Sequence, residues 1–478
     1  MREQKLTKAL PFIFVFLLFF LPSIDTDLGW HLRYGKYFFN TGAWLRENEF
    51  TYFLADYRWI NPFVLYEIMV ASIYKLGGLA GLSLAFALLM ASTFWFYNRM
   101  NPKLPLINLL AFLGAAALGW HVFALGMRAQ VFSFFGVVVL LFILQKSVKY
   151  PKVIILLPVL FLLWANTHGG FALGLMLFLL AALDKVFKKN WEFAFFFGLA
   201  AAISGLAALI NPYGIDIYKE ALRHAQYPLD KLIAEWVPPS LESKVFIVIT
   251  ALIVVLLVIN SSNKRKFFWI SVSVLFAILT FKARRFMPYF GLTLALGIIT
   301  SYEHWLLKAE QKVQKYAVPL LGTGSLILFL RIVPHTLDVD TDWKKYCTAN
   351  QVKQPCRAVE FIRANPIPGK NVFSAYEWGG FLEWQLPQYK YFVDGRMPAW
   401  ATSEGKSPYT VYLEIIQSQP GYQEKLDKYG TDWLLIGAGT FLDIELQSNS
   451  REQTAKNKGR EWEETYRDNI AVIYTKSW

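Results

Sequence analysis

The sequence predicts an all-α polytopic membrane domain with about eleven transmembrane helices over residues 1–334, followed by an extracytoplasmic α/β domain over residues 335–478. Three observations carry this reading. The composition is 55% apolar, 17% aromatic and only 17% charged, with a mean hydropathy of +0.34, far from that of a soluble globular chain. The apolar residues gather in blocks of about 17 to 21, the length at which a helix crosses ~30 Å of hydrocarbon. These blocks stop near Pro334, and the residues beyond have ordinary charge density and turn signals, with enough length to bury a core of their own.

In chain order the spans are read at 8–24, 77–97, 104–124, 129–145, 152–167, 169–186, 191–210, 244–260, 267–281, 286–303 and 316–333. The first block follows Arg2, Lys5 and Lys8 and has the outline of a signal peptide. The expectation is an uncleaved helix, because no small-x-small site follows it and Asp25-Thr26-Asp27 comes next. Alternate connections hold the basic residues: Arg99 and Lys103; Lys146, Lys149 and Lys152; Lys185, Lys188 and Lys189; Lys264, Arg265 and Lys266; Lys308, Lys312 and Lys315. By the positive-inside rule these connections and the amino terminus face the cytoplasm, and the carboxy-terminal domain lies outside a multi-pass cytoplasmic membrane. The net charge of +13 is accounted for by these loops, which argues against a nucleic-acid partner. Cys347 and Cys356, the two cysteines, stand where an oxidising compartment permits a disulfide closing a short loop, the alternative being two free thiols. They fall short of a four-ligand zinc set.

The outer connections form the chemical face. The first, residues 25–76, opens D-T-D-L-G-W-H-L-R-Y-G-K-Y-F-F and interleaves Trp30, Tyr34, Tyr37, Phe38 and Phe39 with His31, Arg33 and Lys36. That pattern predicts an amphipathic helix lying in the interface, with a second short helix over 62–76. Asp25 and Asp27, at the end of the first span, have the spacing to share a divalent cation such as magnesium or manganese, or to divide the work of base and orienter. The ordinary alternative is a solvated helix end. Lys282, Arg284 and Arg285 place three cations in one short outer connection, against the charge rule, and an arginine pair there suits bidentate recognition of a phosphate. Lipid headgroup anchoring is the competing account. Arg128 and Arg58 are further members of such a phosphate cluster. Asn166, His168 and Asn211 sit in outer turns, where capping and turn chemistry compete with a place in the pocket.

A first span followed at once by D-x-D, a long first outer loop, about eleven spans and a terminal outer domain together resemble the GT-C superfamily of membrane glycosyltransferases. That superfamily includes protein O-mannosyltransferases, aminoarabinose transferases and oligosaccharyltransferase catalytic subunits. D-T-D-L-G-W-H-L-R-Y-G also looks like the D-x-D-x-W-W-H-L-R-x-G opening of a group of bacterial membrane proteins placed near it, departing at Gly29, where that group carries an aromatic residue. The resemblance implies a polyprenyl-phosphate-sugar donor, a glycan, lipid or protein acceptor, inversion at the anomeric carbon, and a catalytic acid at Asp25 or Asp27.

In the outer domain, Val372–Ala375, Tyr391–Asp394, Trp433–Ile436 and Ala471–Tyr474 read as strands alternating with helical stretches, which predicts a small, partly parallel sheet. Tyr376-Glu377-Trp378-Gly379-Gly380 follows a strand, the position in which oligosaccharyltransferases carry W-W-D-Y-G, so Glu377, Trp378, Asp394 and Arg396 are acceptor-binding candidates against ordinary turn chemistry. A transporter or flippase for a lipid-linked or anionic substrate, or a surface-polymer ligase, shares this topology. A transporter is expected to show internal repeats, which the sequence lacks. The soluble phosphate-loop, G-x-S-x-G and H-E-x-x-H motifs are absent.

Overall fold

In a computed structural model the described residues are 2–400, 402, 405–455 and 462–476. The side chains of Arg2, Lys5 and Lys8 lie outside the described part. The helices run α1 (Arg2–Leu18), α2 (Leu28–Thr41), α3 (Val64–Met100), α4 (Pro105–Leu118), α5 (Trp120–Phe123), α6 (Ala129–Lys146) and α7 (Leu157–Ala165). Then come α8 (Phe171–Phe187), α9 (Trp191–Ala207), α10 (Asp216–Gln226), α11 (Leu241–Asn260), α12 (Lys266–Lys282), α13 (Met287–Ser301) and α14 (Glu303–Thr341). Every apolar block read from the sequence holds a helix. Four of them, α3, α6, α11 and α14, are long and apolar enough to cross a membrane by length and composition.

Local chemistry explains several boundaries. Pro105 opens α4 at a position where its missing N–H costs nothing. Asn190 caps α9 by accepting from Phe193 N at 3.3 Å, and Ser240 caps α11 by accepting from Ser243 N at 3.3 Å. Within α3 the backbone breaks at Gly78, with φ +60 and ψ −152, a conformation open to glycine. The interfacial helix expected over 62–76 and the span expected over 77–97 are thus the two arms of one kinked element.

Contacts divide the chain into a helical unit (Met1–Ser23, Pro62–Tyr66, Leu76–Asp338) and a second unit (Ile24–Asn61, Glu67–Lys75, Val339–Trp478). In the helical unit an aromatic core joins Phe19 to Phe86 at 5.9 Å, Phe123 to Phe134 at 5.2 Å and Phe134 to Tyr289 at 5.8 Å between ring centroids. Its outside is apolar too. The most apolar stretches of α11 and α14 are only 17% and 11% buried, exposing Phe246, Ile249, Leu252, Ile253 and Leu256 along α11 alone. Surfaces of this kind are stable against lipid and not against water. The chain is a multi-pass membrane protein.

The second unit carries α15 (Trp343–Ala349), α16 (Cys356–Ala364), β1 (Asn371–Ser374), α17 (Gly379–Gln385), β2 (Lys390–Tyr391), α18 (Pro408–Ile416), α19 (Tyr422–Lys428), β3 (Trp433–Gly437), α20 (Phe441–Ala455), β4 (Trp462–Arg467) and β5 (Ala471–Lys476). The sheet order is β2-β1-β3-β5-β4, with β1 parallel to β2 and β3, and β5 antiparallel to β3 and β4. Strand β4 escapes the sequence reading because it is an edge strand whose Glu463, Glu464 and Thr465 are exposed. A disulfide joins Cys347 to Cys356.

Residues 50–52, between α2 and α3, complete this sheet. Thr51 bridges Tyr391, Tyr52 N donates to Tyr391 O at 3.0 Å, and Tyr391 N donates to Phe50 O at 3.2 Å, so the free edge of β2 is covered by chain from the other end of the sequence. Phe53 stacks on Phe392 at 4.7 Å and Tyr57 on Trp400 at 4.4 Å.

Candidate active site

The acidic pair belongs to the second unit. Helix α1 stops at Leu18, and Asp27 stands immediately before α2 in the capping position without making a side-chain cap. Its Oδ1 accepts instead from Trp30 Nε1 at 3.1 Å. The Cα of Gly395 lies against the same carboxylate, so any side chain there would displace it. Asp27 is half-buried, whereas Asp25 is 6% exposed. Close by, the Tyr376 phenol is pushed well above its ordinary range, first by burial and then by the charge of Asp27. Its ring lies 4.4 Å from that of Tyr409. Asp27 is therefore the acid with both an oriented carboxylate and a partly open approach.

Gly29, the departure from the bacterial group's motif, has a structural cause. A Cβ at Gly29 would overlap the carbonyl oxygen of Gly380, because α2 and α17 meet backbone to backbone. The aromatic residue of the motif does not fit this packing.

The remaining motif residues of the second unit find partners within it. His31 Nδ1 lies 3.4 Å from Glu67 Oε1, and Asn61 Nδ2 donates to Glu67 Oε2 at 2.8 Å. Arg33 Nη2 donates to Pro387 O at 2.8 Å, with its guanidinium 4.1 Å from the Phe50 ring. Arg58 is exposed, in a backbone bridge with Glu47.

Three of the four acceptor candidates are buried and have partners within the unit. Asp394 and Arg396 are buried and bind each other: Arg396 Nε donates to Asp394 Oδ1 at 2.9 Å, Nη2 bonds Oδ2, and Nη1 donates to Tyr34 OH at 2.6 Å. Burial pushes the Asp394 carboxyl up, but the Arg396 charge and its bonds outweigh this and hold it low. Buried Glu383, with Asp394 beside it, is pushed well above the carboxylate range. Trp378 is also buried, its Nε1 donating to Lys353 O at 2.9 Å. Only Glu377 is exposed. Asp394 and Arg396, read from sequence as acceptor contacts or turn residues, are here paired inside a core.

The cationic cluster belongs to the helical unit. Arg128 precedes α6 in extended conformation, and Arg285 lies in the turn Arg284–Phe286 between α12 and α13. Both reach Glu235: Arg128 Nη1 is 3.5 Å from Oε2 and Arg285 Nη1 is 3.1 Å from Oε1. Gln130 Nε2 donates to Glu235 Oε1 at 3.3 Å, and the Arg285 guanidinium sits 4.5 Å from the Trp236 ring. Burial pushes Glu235 up, yet Arg285 and Arg128 hold it below its ordinary value. Arg284 N donates to Val237 O at 3.2 Å, tying this turn to the loop that carries Glu235. Glu235 was invisible in the sequence, being one acid among several in residues 211–240.

His168 has a defined proton state. Trp164 Nε1 donates to Ser133 Oγ at 2.8 Å, which leaves the Ser133 hydroxyl to donate to His168 Nδ1 at 2.6 Å, and Gly170 N reaches the same Nδ1 at 3.1 Å. The imidazole is thereby neutral with its proton on Nε2. Burial, and then the charge of Arg285, lowers its pKa to about 3. Asn166 and Asn211 are turn residues: Asn166 Nδ2 donates to Leu162 O and Ile210 O, and Asn211 Oδ1 accepts from Tyr213 N at 2.7 Å. Lys282 is exposed and apart from the Glu235 bridge.

Among the described residues no group of three or more His, Cys, Asp or Glu side chains could hold a metal ion. Among the described residues Asp25 and Asp27 have no third His, Cys, Asp or Glu beside them with which to hold a cation.

No protein-family model and no curated protein matches the chain. Solved structures do. The oligosaccharyltransferase AglB from Archaeoglobus fulgidus, in complex with an inhibitory peptide and a dolichol-phosphate, aligns with a TM-score of 0.56 at 12% identity over 91% of this chain and 69% of its own. The apo form of that enzyme aligns with a TM-score of 0.57 at 10% identity over the same shares. ArnT from Cupriavidus metallidurans, bound to undecaprenyl phosphate, aligns with a TM-score of 0.54 at 13% identity over 97% of this chain and 95% of its own. At such identities the likeness is one of fold, shared with these two enzymes over most of the chain.

Proposed function

We propose that this chain, which has the GT-C fold, is a membrane glycosyltransferase that moves a sugar from a polyprenyl phosphate to an acceptor hydroxyl on the outer face of the membrane. The observation that carries the reading is the convergence of Arg128 and Arg285 on the single carboxylate of Glu235. Two guanidinium groups that meet at one oxyanion group have the spacing to hold a phosphate, and planar forks do so bidentately. Support for the lipid comes from the AglB and ArnT structures, which contain a dolichol-phosphate and undecaprenyl phosphate respectively.

In this reading Asp27 is the base and Asp25 orients it. The acceptor O–H gives its proton to Asp27 as its oxygen bonds to the anomeric carbon. The bond from that carbon to the phosphate oxygen breaks, and its electron pair leaves on the phosphate, where Arg128 and Arg285 stabilise the added charge. A single displacement of this kind inverts the anomeric centre. Lys282 and Arg284 add positive field beside the donor, and Arg58 is assigned a lesser share of it. Glu377 is kept as an acceptor contact.

Purified protein incubated with a set of polyprenyl phosphate sugars is expected to release polyprenyl phosphate, and Asp27→Asn to abolish the release without lowering membrane yield. Full activity in a variant lacking both acids rejects the assignment of the base. Absence of turnover with every donor favours the transporter.

A further inference from the structure

Helices α8 and α12 each have a second end. Their outer ends lead to His168 and Arg285; at the other, about 25 Å away for a helix of 17 residues, Phe187 packs on Phe267 with centroids 4.2 Å apart. We propose that Lys185, Lys188 and Arg265, gathered at this end, form a binding site for the phosphate of an anionic membrane phospholipid.

Arg265 supplies the main observation. Its guanidinium lies 4.4 Å from the Phe268 ring, and its Nε and Nη2 are buried without a hydrogen-bond partner. Those two nitrogens form one edge of the guanidinium, the edge whose parallel N–H groups match two oxygens of a phosphate. A buried charged donor left without an acceptor is costly, so an acceptor is called for. Lys185 is 9% exposed and turns its ammonium over the rings of Phe197 at 5.2 Å and Phe193 at 5.7 Å. Arg265, Lys188 and Asp184 all act electrostatically on it. Asp184 is fully buried; its Oδ2 is taken by Lys188 Nζ, and among the described residues its Oδ1 is the single unpartnered acceptor beside the three cations. One carboxylate against three cations leaves a surplus of positive charge, which selects an anion.

The surroundings select a lipid. Phe187, Trp191 and Phe195 stand exposed beside the cluster at 65%, 66% and 74%, as aromatic side chains do at a membrane interface. A basic pocket between helices, rimmed by such residues, accepts a headgroup phosphate while the acyl chains stay in hydrocarbon.

Full-length protein reconstituted in equal parts phosphatidylglycerol and phosphatidylcholine, then extracted, washed in detergent and weighed by native mass spectrometry, tests the site. One phosphatidylglycerol is expected to remain bound, favoured about tenfold over phosphatidylcholine. The double variant Lys185→Gln, Arg265→Gln is expected to lose that preference, and Lys152→Gln to keep it. Equal retention of the two lipids by the unaltered protein overturns the proposal, and so decides the matter even where the double variant does not fold. Undiminished retention by a folded double variant overturns it as well. Displacement of the lipid by an equal concentration of inorganic phosphate makes this a free-phosphate site and rejects the lipid. Sugar transfer is not the readout, so the result is independent of the reaction proposed above.

Discussion

Arg285 is held by three different forces: an ion pair with Glu235, a ring contact with Trp236, and a short turn anchored through Arg284 N. A guanidinium so constrained is prepaid in entropy and ready to take an oxyanion. Arg285→Ala is therefore expected to lower kcat/KM for the lipid-linked donor by about 10²–10³, or ~2.7–4 kcal/mol of transition-state stabilisation. Arg285→Lys should recover part of this, since it restores charge without the planar fork. Equal loss in both variants would leave the charge without a role. His168 carries a pH signature. Its pKa falls from 6.5 in the unfolded chain to about 3 in the folded one, so the unfolded state binds the proton first as pH drops. The stability that neutral His168 contributes is thus complete above pH 6.5 and is lost progressively below it. Thermal unfolding followed from pH 7 to pH 4 should fall less steeply for His168→Gln than for the unaltered chain.

At the level of elements, the second unit depends on a segment more than 300 positions away in sequence. Tyr34 on α2 receives Arg396 Nη1, and residues 50–52 cover the edge of β2. The Arg396 guanidinium is enclosed by the rings of Tyr34, Phe50, Trp59 and Trp400, each within 5.6 Å. Removing this charge strands Asp394 inside the core. Arg396→Leu is expected to destabilise the unit by about 3–5 kcal/mol, read as faster proteolysis of residues 339–478 in the full-length protein. A resistant variant would show that the pair contributes little. The same packing accounts for Gly29, whose partner Gly380 leaves no room for a side chain.

For the whole molecule, the number and direction of the crossings decide which loops share a face. Four helices are long and apolar enough to cross among the described residues, and we propose that eleven cross, with the amino terminus in the cytoplasm, on the alternation of basic loops. Reporter fusions after Lys149, Lys189 and Lys264 are expected to report the cytoplasm, and fusions within residues 211–240 or after residue 476 the outside. Two adjacent loops reporting the same side would remove one crossing. The disulfide between Cys347 and Cys356 agrees with an oxidising exterior.

Hydrophobic blocks, basic loops and strand-forming runs are local properties, and each was legible because the force behind it acts over a few residues. The helices and four of the five strands could be read in this way. Which charges face a ligand and which lock a core is a question of partners far apart in the chain. Glu235 between two arginines, Asp394 and Arg396 enclosed by aromatic rings, and the unpartnered edge of Arg265 have no sequence signature. Burial and pairing, which only the tertiary structure decides, set two arginines on one carboxylate beside a turn in one place and lock an arginine into an aromatic core in another.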